Sequence, residues 1–255
     1  MGHERIGFLP KTQIWRHIVD QLSHFNNSDA DVSQIANSTL NNIRKTYEKM
    51  PNDDSVIKAI QYLTILTASA NTNNQIDFLN NNGIGINKEI SLFSLIRSAK
   101  EFVKTENGSL ESNKIAVDAL LNAITTYESN NQNNQLLLFD EQSSSIWANT
   151  GTGAVFCDLA RAFFSSFTDR YLKYYLDREA SHAINDYNLI ESFSNKLSEQ
   201  ISRHAFETSK IMQSYAAGWF NVHSKSNLPN IDEIKSFLKL TFTKLREEFR
   251  REAEK

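Results

Sequence analysis

Apolar residues recur at every third or fourth position along most of the chain. The recurrence is strongest from 154 to 220, a stretch with no proline and one glycine, Gly218. A chain without breakers and with a repeating apolar face forms long helices. Thr12 caps a first helix whose apolar face is Ile14, Trp15, Ile18, Val19, Leu22 and Phe25. Ser28 and Asp31 open a second, with Val32, Ile35, Leu40, Ile43, Tyr47 and Met50, and Pro51 stops it. A third covers about 54–70 through Val56, Ile60, Leu63 and Leu66, and a short turn of helix fits 76–79. After a loop at 80–85, helices are expected at 88–104 (Ile90, Phe93, Leu95, Ile96, Phe102) and at 110–128, with Asn107 and Gly108 turning between them.

The rhythm fails between 129 and 145, where two polar runs flank Leu136, Leu137, Leu138 and Phe139. This divides the chain into an N-terminal helical domain over 1–128, a polar connector over 129–150 and a C-terminal long-helix bundle over 151–255. In the last part a helix begins just after Gly153 and carries Phe156, Ala160, Phe163, Phe167, Tyr171 and Tyr174. A turn at 185–188 precedes one long helix through Phe193, Leu197, Ile201, Ile211, Tyr215 and Trp219. Beyond Pro229 a final helix shows Ile231, Ile234, Leu238, Phe242, Leu245 and Phe249. The fold class is therefore all-α, an N-terminal multi-helix domain followed by an antiparallel long-helix bundle or hairpin.

At 255 residues, 40% of them hydrophobic, the chain can bury a large core, and sixteen Phe supply bulky material for it. The net charge of −3 argues against a general nucleic-acid binder. Cys157 is the sole cysteine, which excludes an intrachain disulfide and a Cys-built zinc site. Its place in a helical stripe reads as a small buried hydrophobe. The most apolar stretch, 154–175, carries Asp158, Arg161, Asp169, Arg170 and Lys173, too costly for a lipid-facing helix. The first residues lack the apolar core of a secretory signal, so the expectation is a cytoplasmic protein without membrane contact.

Two groups look chemical. Glu179 with His182 and His204 with Glu207 are each three apart, which places each pair on one helix face. Di-iron bundles use two Glu-x-x-His pairs plus two further Glu, and here the second pair runs in reverse. These four are the candidate catalytic residues of a helical-bundle enzyme, with no resident metal expected. Gly151, Thr152 and Gly153 precede a helix and form a candidate anion site. The lysine of a phosphate-binding loop is missing, so a turn capped by Thr150 or Thr152 is the simpler account, and no cofactor is expected.

The second half carries more large apolar residues than one seam of a hairpin can cover. Phe163, Phe164, Tyr171, Tyr174, Tyr175, Ile211, Tyr215 and Trp219 are the expected interface. The leading expectation is a non-catalytic interaction or scaffold subunit of a cytoplasmic bacterial complex, self-associating or holding a protein partner through its C-terminal helices. Residues 2–11, followed by the helix with Trp15, resemble bacterial proteins encoded in multigene defence-type clusters. That resemblance adds an accessory nucleic-acid-associated subunit as an alternative. The arm 2–11 itself is expected to pack on its own domain or on another subunit.

Overall fold

Side-chain caps set where most of the helices begin. The computed structural model describes residues 13–26, 32, 34, 35, 38, 39, 48–105, 110–131, 146–223 and 228–253, and among them every regular element is helical. They are α1 (Gln13–Ser23), a 3₁₀ turn (Met50–Asn52), α2 (Asp54–Ser69), α3 (Gln75–Asn81), α4 (Leu92–Val103), α5 (Leu110–Asn131), α6 (Gly153–Ala183), α7 (Tyr187–Ser209), a second 3₁₀ turn (Lys210–Met212), α8 (Gln213–His223) and α9 (Ile231–Ala253). The protein is all-α. Asp53 accepts from the N–H groups of Ser55 and Val56 at the head of α2, and Thr152 Oγ1 accepts from Val155 N at the head of α6. Asn230 and Glu233 exchange side-chain and backbone bonds at the head of α9. The arm 2–11, most of the second expected helix and Leu136–Phe139 lie outside the described residues, though Val32, Ile35 and Thr39 are helical and buried.

Three boundaries differ from the sequence expectation. α4 starts at Leu92 rather than near Lys88, because Ser91 and Ser94 form a reciprocal capping box. α5 runs on to Asn131 and so absorbs the start of the expected connector. The long helix expected through Trp219 is interrupted at residues 210–212. There Ser209 is buried and its hydroxyl donates to Phe206 O, a local bond that competes with the helical ladder. The tighter 3₁₀ turn re-phases the chain, so α8 swings its Trp219 and Phe220 onto the N-terminal end of α6.

α2 is the centre of the molecule. It has no charged residue after Lys58 and is buried on all sides, by α3, α4, α5, α6 and α9. Its hydroxyls are satisfied internally: Thr64, Thr67 and Ser69 donate to the carbonyls of Ile60, Leu63 and Leu66. Tyr62 donates to Leu95 O at 3.0 Å and meets Ser98 Oγ at 2.9 Å, tying α2 to α4. Burial pushes the Tyr62 pKa well above its ordinary value, against the pull of the Ser98 hydrogen bond.

The buried residues of both halves form one continuous apolar cluster from Trp15 to Leu245. The expected division at 129–150 is therefore not a break in packing, since α5 lies along α6 and both α1 and α2 also touch α6. Residues 146–150, expected as part of the polar connector, dock into the cluster. Trp147 and Thr150 are fully buried there. α6 and α7 form the antiparallel hairpin, in a register set by Ser194 Oγ donating to Asp177 Oδ1 at 3.3 Å and Ser202 Oγ to Asp169 Oδ1 at 2.9 Å.

Candidate functional site

The hairpin register separates the two Glu/His pairs. Glu179 and His182 sit in the last turns of α6, while His204 and Glu207 lie near the far end of α7, His204 at about the level of Phe167. Twelve residues of helix part that level from Glu179, about 18 Å along the axis. Glu207 is paired with Lys210, and His182 is exposed on the final turn. The His204 side chain lies outside those described. Among the described residues no group of three or more His, Cys, Asp or Glu is placed to hold a metal ion. The four candidate catalytic residues do not come together in one site, because i, i+3 spacing fixes a face and not a level along a hairpin.

The glycines before α6 serve close packing. A Cβ on Gly151 would lie 2.2 Å from Asn71 Oδ1, and Asn71 Nδ2 donates to Gly151 O at 2.8 Å. A Cβ on Gly153 would lie 2.6 Å from the backbone oxygen of Ala217 on α8. Thr152 is the cap, as the sequence suggests, and Asn71, Ala217 and Asn221 crowd the space an anion would need. The expected interface is also redistributed. Phe163, Phe164, Tyr171 and Trp219 are buried within the chain, against Phe167, Phe242, Phe156 and Phe237. Tyr174, Ile211 and Tyr215 are half-buried, Tyr215 stacked on Phe237; the Tyr175 side chain lies outside those described. The apolar surplus of α6 is thus covered by α8 and α9, helices whose return onto it the sequence pattern did not reveal.

Several polar residues along α6 are paired within the chain. Lys173 pairs with Asp169 at 2.8 Å and Arg170 with Asp118 at 3.8 Å, so these cations do not line up as a phosphate track. Burial raises the pKa of Asp177, opposed by the Ser194 hydrogen bond and the Lys173 charge and reinforced by Asp169. Cys157 is 2% exposed, and burial, with the nearby Asp158 charge, pushes its thiol up to about 11 against the pull of Arg161. Near neutral pH only a trace is thiolate, so iodoacetamide labels the native chain at least ~100-fold more slowly than a free cysteine. Mass spectrometry before and after unfolding in guanidinium checks this, and comparable labelling in both states would contradict the buried assignment.

An open groove of about 550 Å³ lies on the opposite, N-terminal half. One wall is the segment 83–89. It starts at a Schellman turn closing α3, in which Ile84 N donates to Leu79 O and Gly83 N to Asn80 O, with Gly83 at φ +83. Asn80 then grips the backbone of Ile86 through both its amide atoms, each at 2.8 Å. The other wall is the exposed ridge of α4, Phe93, Arg97 and Glu101, and Ser94, Ser98 and Phe102 line the floor. Phe93 is 76% exposed. The sequence expectation grouped it with Ile90, three residues before it, in one apolar set. Counted from the Ser91 cap, Leu92, Leu95, Ile96, Ala99 and Val103 form the inward stripe and Phe93 falls off it. The Ser91 and Ser94 pair was the legible signal.

Comparison with known protein families, with curated proteins and with solved structures finds no match to this chain. No described helix is long and apolar enough to cross a membrane.

Proposed function

We propose that this chain is a non-catalytic α-helical interaction subunit, holding a protein partner in the groove between segment 83–89 and α4. The reading carries over from the sequence, but its surface moves from the C-terminal helices to α4. The observation that carries it is Phe93. It is a large aromatic left open beside a preformed groove, on a helix whose other apolar residues are packed inward or partly covered. Exposed aromatics with a neighbouring Arg are the residue types that dominate protein interfaces energetically. The groove walls are held by Tyr62, Asn80 and the Ser91 cap, so little ordering is lost on binding.

The test is site-specific photo-crosslinking in host extract from position 93, with Asn195, exposed on α7, as control position. A discrete protein adduct from position 93 and none from 195 is expected. No adduct at 93, or the same adducts at both positions, would contradict the reading.

A further inference from the structure

An asparagine followed by glycine is the step in a polypeptide most prone to lose its side-chain amide. The backbone nitrogen of the glycine attacks the asparagine Cγ, a C–N bond forms, and the side-chain nitrogen leaves as ammonia. Water then opens the succinimide ring at either carbonyl, giving aspartate or isoaspartate. Glycine favours the reaction because no Cβ obstructs the approach of its nitrogen. The chain contains this step twice, at Asn82-Gly83 and at Asn107-Gly108. The second lies outside the described residues.

The step at 82–83 closes α3, and its turn holds each group the reaction needs. Asn82 Nδ2, the nitrogen that would leave, donates to Phe78 O at 2.8 Å. The attacking nitrogen of Gly83 donates its N–H to Asn80 O at 3.1 Å, and that proton must be lost for attack. Asn82 has a ψ of 16°, so Gly83 N nearly eclipses the residue's own nitrogen about the Cα–C bond. The tetrahedral Cα then puts Cβ a third of a turn away, whereas ring closure needs Gly83 N and Cβ eclipsed. Rotation about that bond would pull Ile84 N from Leu79 O, now at 2.9 Å, and draw the buried Ile84 and Ile86 out of the core. Asn80, which grips Ile86 through both amide atoms, holds the segment shut.

The geometry points to Asn82-Gly83 as a latent modification site, protected in the folded chain and converted through the succinimide when segment 83–89 opens. The change is one-way. Isoaspartate carries the former side-chain methylene in its backbone, which lengthens the turn and prevents the Schellman pair of bonds from re-forming in register. A chain so marked keeps a covalent record that this wall has opened, whatever the groove binds.

The test incubates the full chain in mildly alkaline buffer, native or in guanidinium, and follows residue 82 by tryptic mapping with tandem mass spectrometry. Conversion in the native chain should be at least ~10-fold slower than in the unfolded chain, since it proceeds only through the open fraction. Isoaspartate and aspartate should appear together, as a shared ring requires. Asn80→Ala removes both bonds to Ile86 and should speed native conversion at least ~3-fold, with the rate in guanidinium unchanged. Circular-dichroism melts check that this variant is folded. Asn80→Asp, which keeps the bond from Ile86 N and loses the other, replaces it if it is not. Native conversion within ~2-fold of the unfolded rate overturns the inference, as does aspartate formed without isoaspartate. A folded Asn80 variant that converts no faster than the parent overturns the assignment of segment 83–89 as the guard.

Discussion

Trp147→Ala lowers the stability of the chain by about 3–5 kcal/mol, the range for emptying a fully buried tryptophan site. Trp147 has no exposed surface, packs its ring 5.3 Å from that of Tyr127, and donates its indole N–H to Glu128 Oε2 at 2.9 Å. Glu128 is itself 2% exposed, so the substitution also withdraws a donor from a buried carboxylate. The backbone around Trp147 is clamped as well. Its carbonyl accepts from Gln75 Nε2 and from Thr150 Oγ1, each at 3.0 Å. The residue therefore fastens the segment entering α6 to α3 and α5 together. Trp147→Phe keeps most of the ring and loses the N–H, and its cost should fall to about 1–3 kcal/mol. Urea denaturation followed by circular dichroism measures both. The midpoint should move with little change in slope, and a loss under about 1 kcal/mol for the alanine variant would show that this junction is not a core element.

Gly153→Ala destabilises by about 1–3 kcal/mol, whereas Gly218→Ala stabilises by about 0.5–1 kcal/mol. Both glycines are helical, so intrinsic propensity favours alanine at each. At Gly218, exposed on α8, an added methyl meets nothing within 4 Å and the propensity gain stands alone. At Gly153 the methyl would sit 2.6 Å from the Ala217 carbonyl oxygen and 2.8 Å from the Asn221 amide. Asn221 is exposed and can turn away, but the carbonyl belongs to the α8 backbone, so relief requires α8 to withdraw from α6. That withdrawal would loosen the Phe156, Trp219 and Phe220 contacts. Matching urea midpoints for the two variants would show that the approach of α8 to α6 is not tight.

Helix identity was readable wherever the local chemistry is self-sufficient. The Thr152 cap and the start of α9 at Ile231 follow from a few adjacent residues. The interruption at 210–212 was not readable. Ser209, whose hydroxyl donates to Phe206 O there, sits in a buried setting that periodicity does not encode. α2 was read as an amphipathic stripe although its run without charge after Lys58 points to burial on every side. For the groove, Phe93 was grouped with Ile90, which precedes the Ser91 cap and so shares no helix face with it.

Residue spacing determined that the regular elements among the described residues are helical, that Thr152 caps α6, and that Cys157 is a core thiol. Those properties are set by neighbours within a turn or two, where geometry is fixed by the backbone. Only the tertiary structure decided that α8 and α9 cover the aromatic ridge of α6, that the Glu/His pairs stand apart, and that Phe93 is left open beside the groove. The physical reason is the same in each case. A helical stripe states that a face must be covered, but the identity of the cover is a long-range choice among several apolar faces of similar size, made by how completely they fit together.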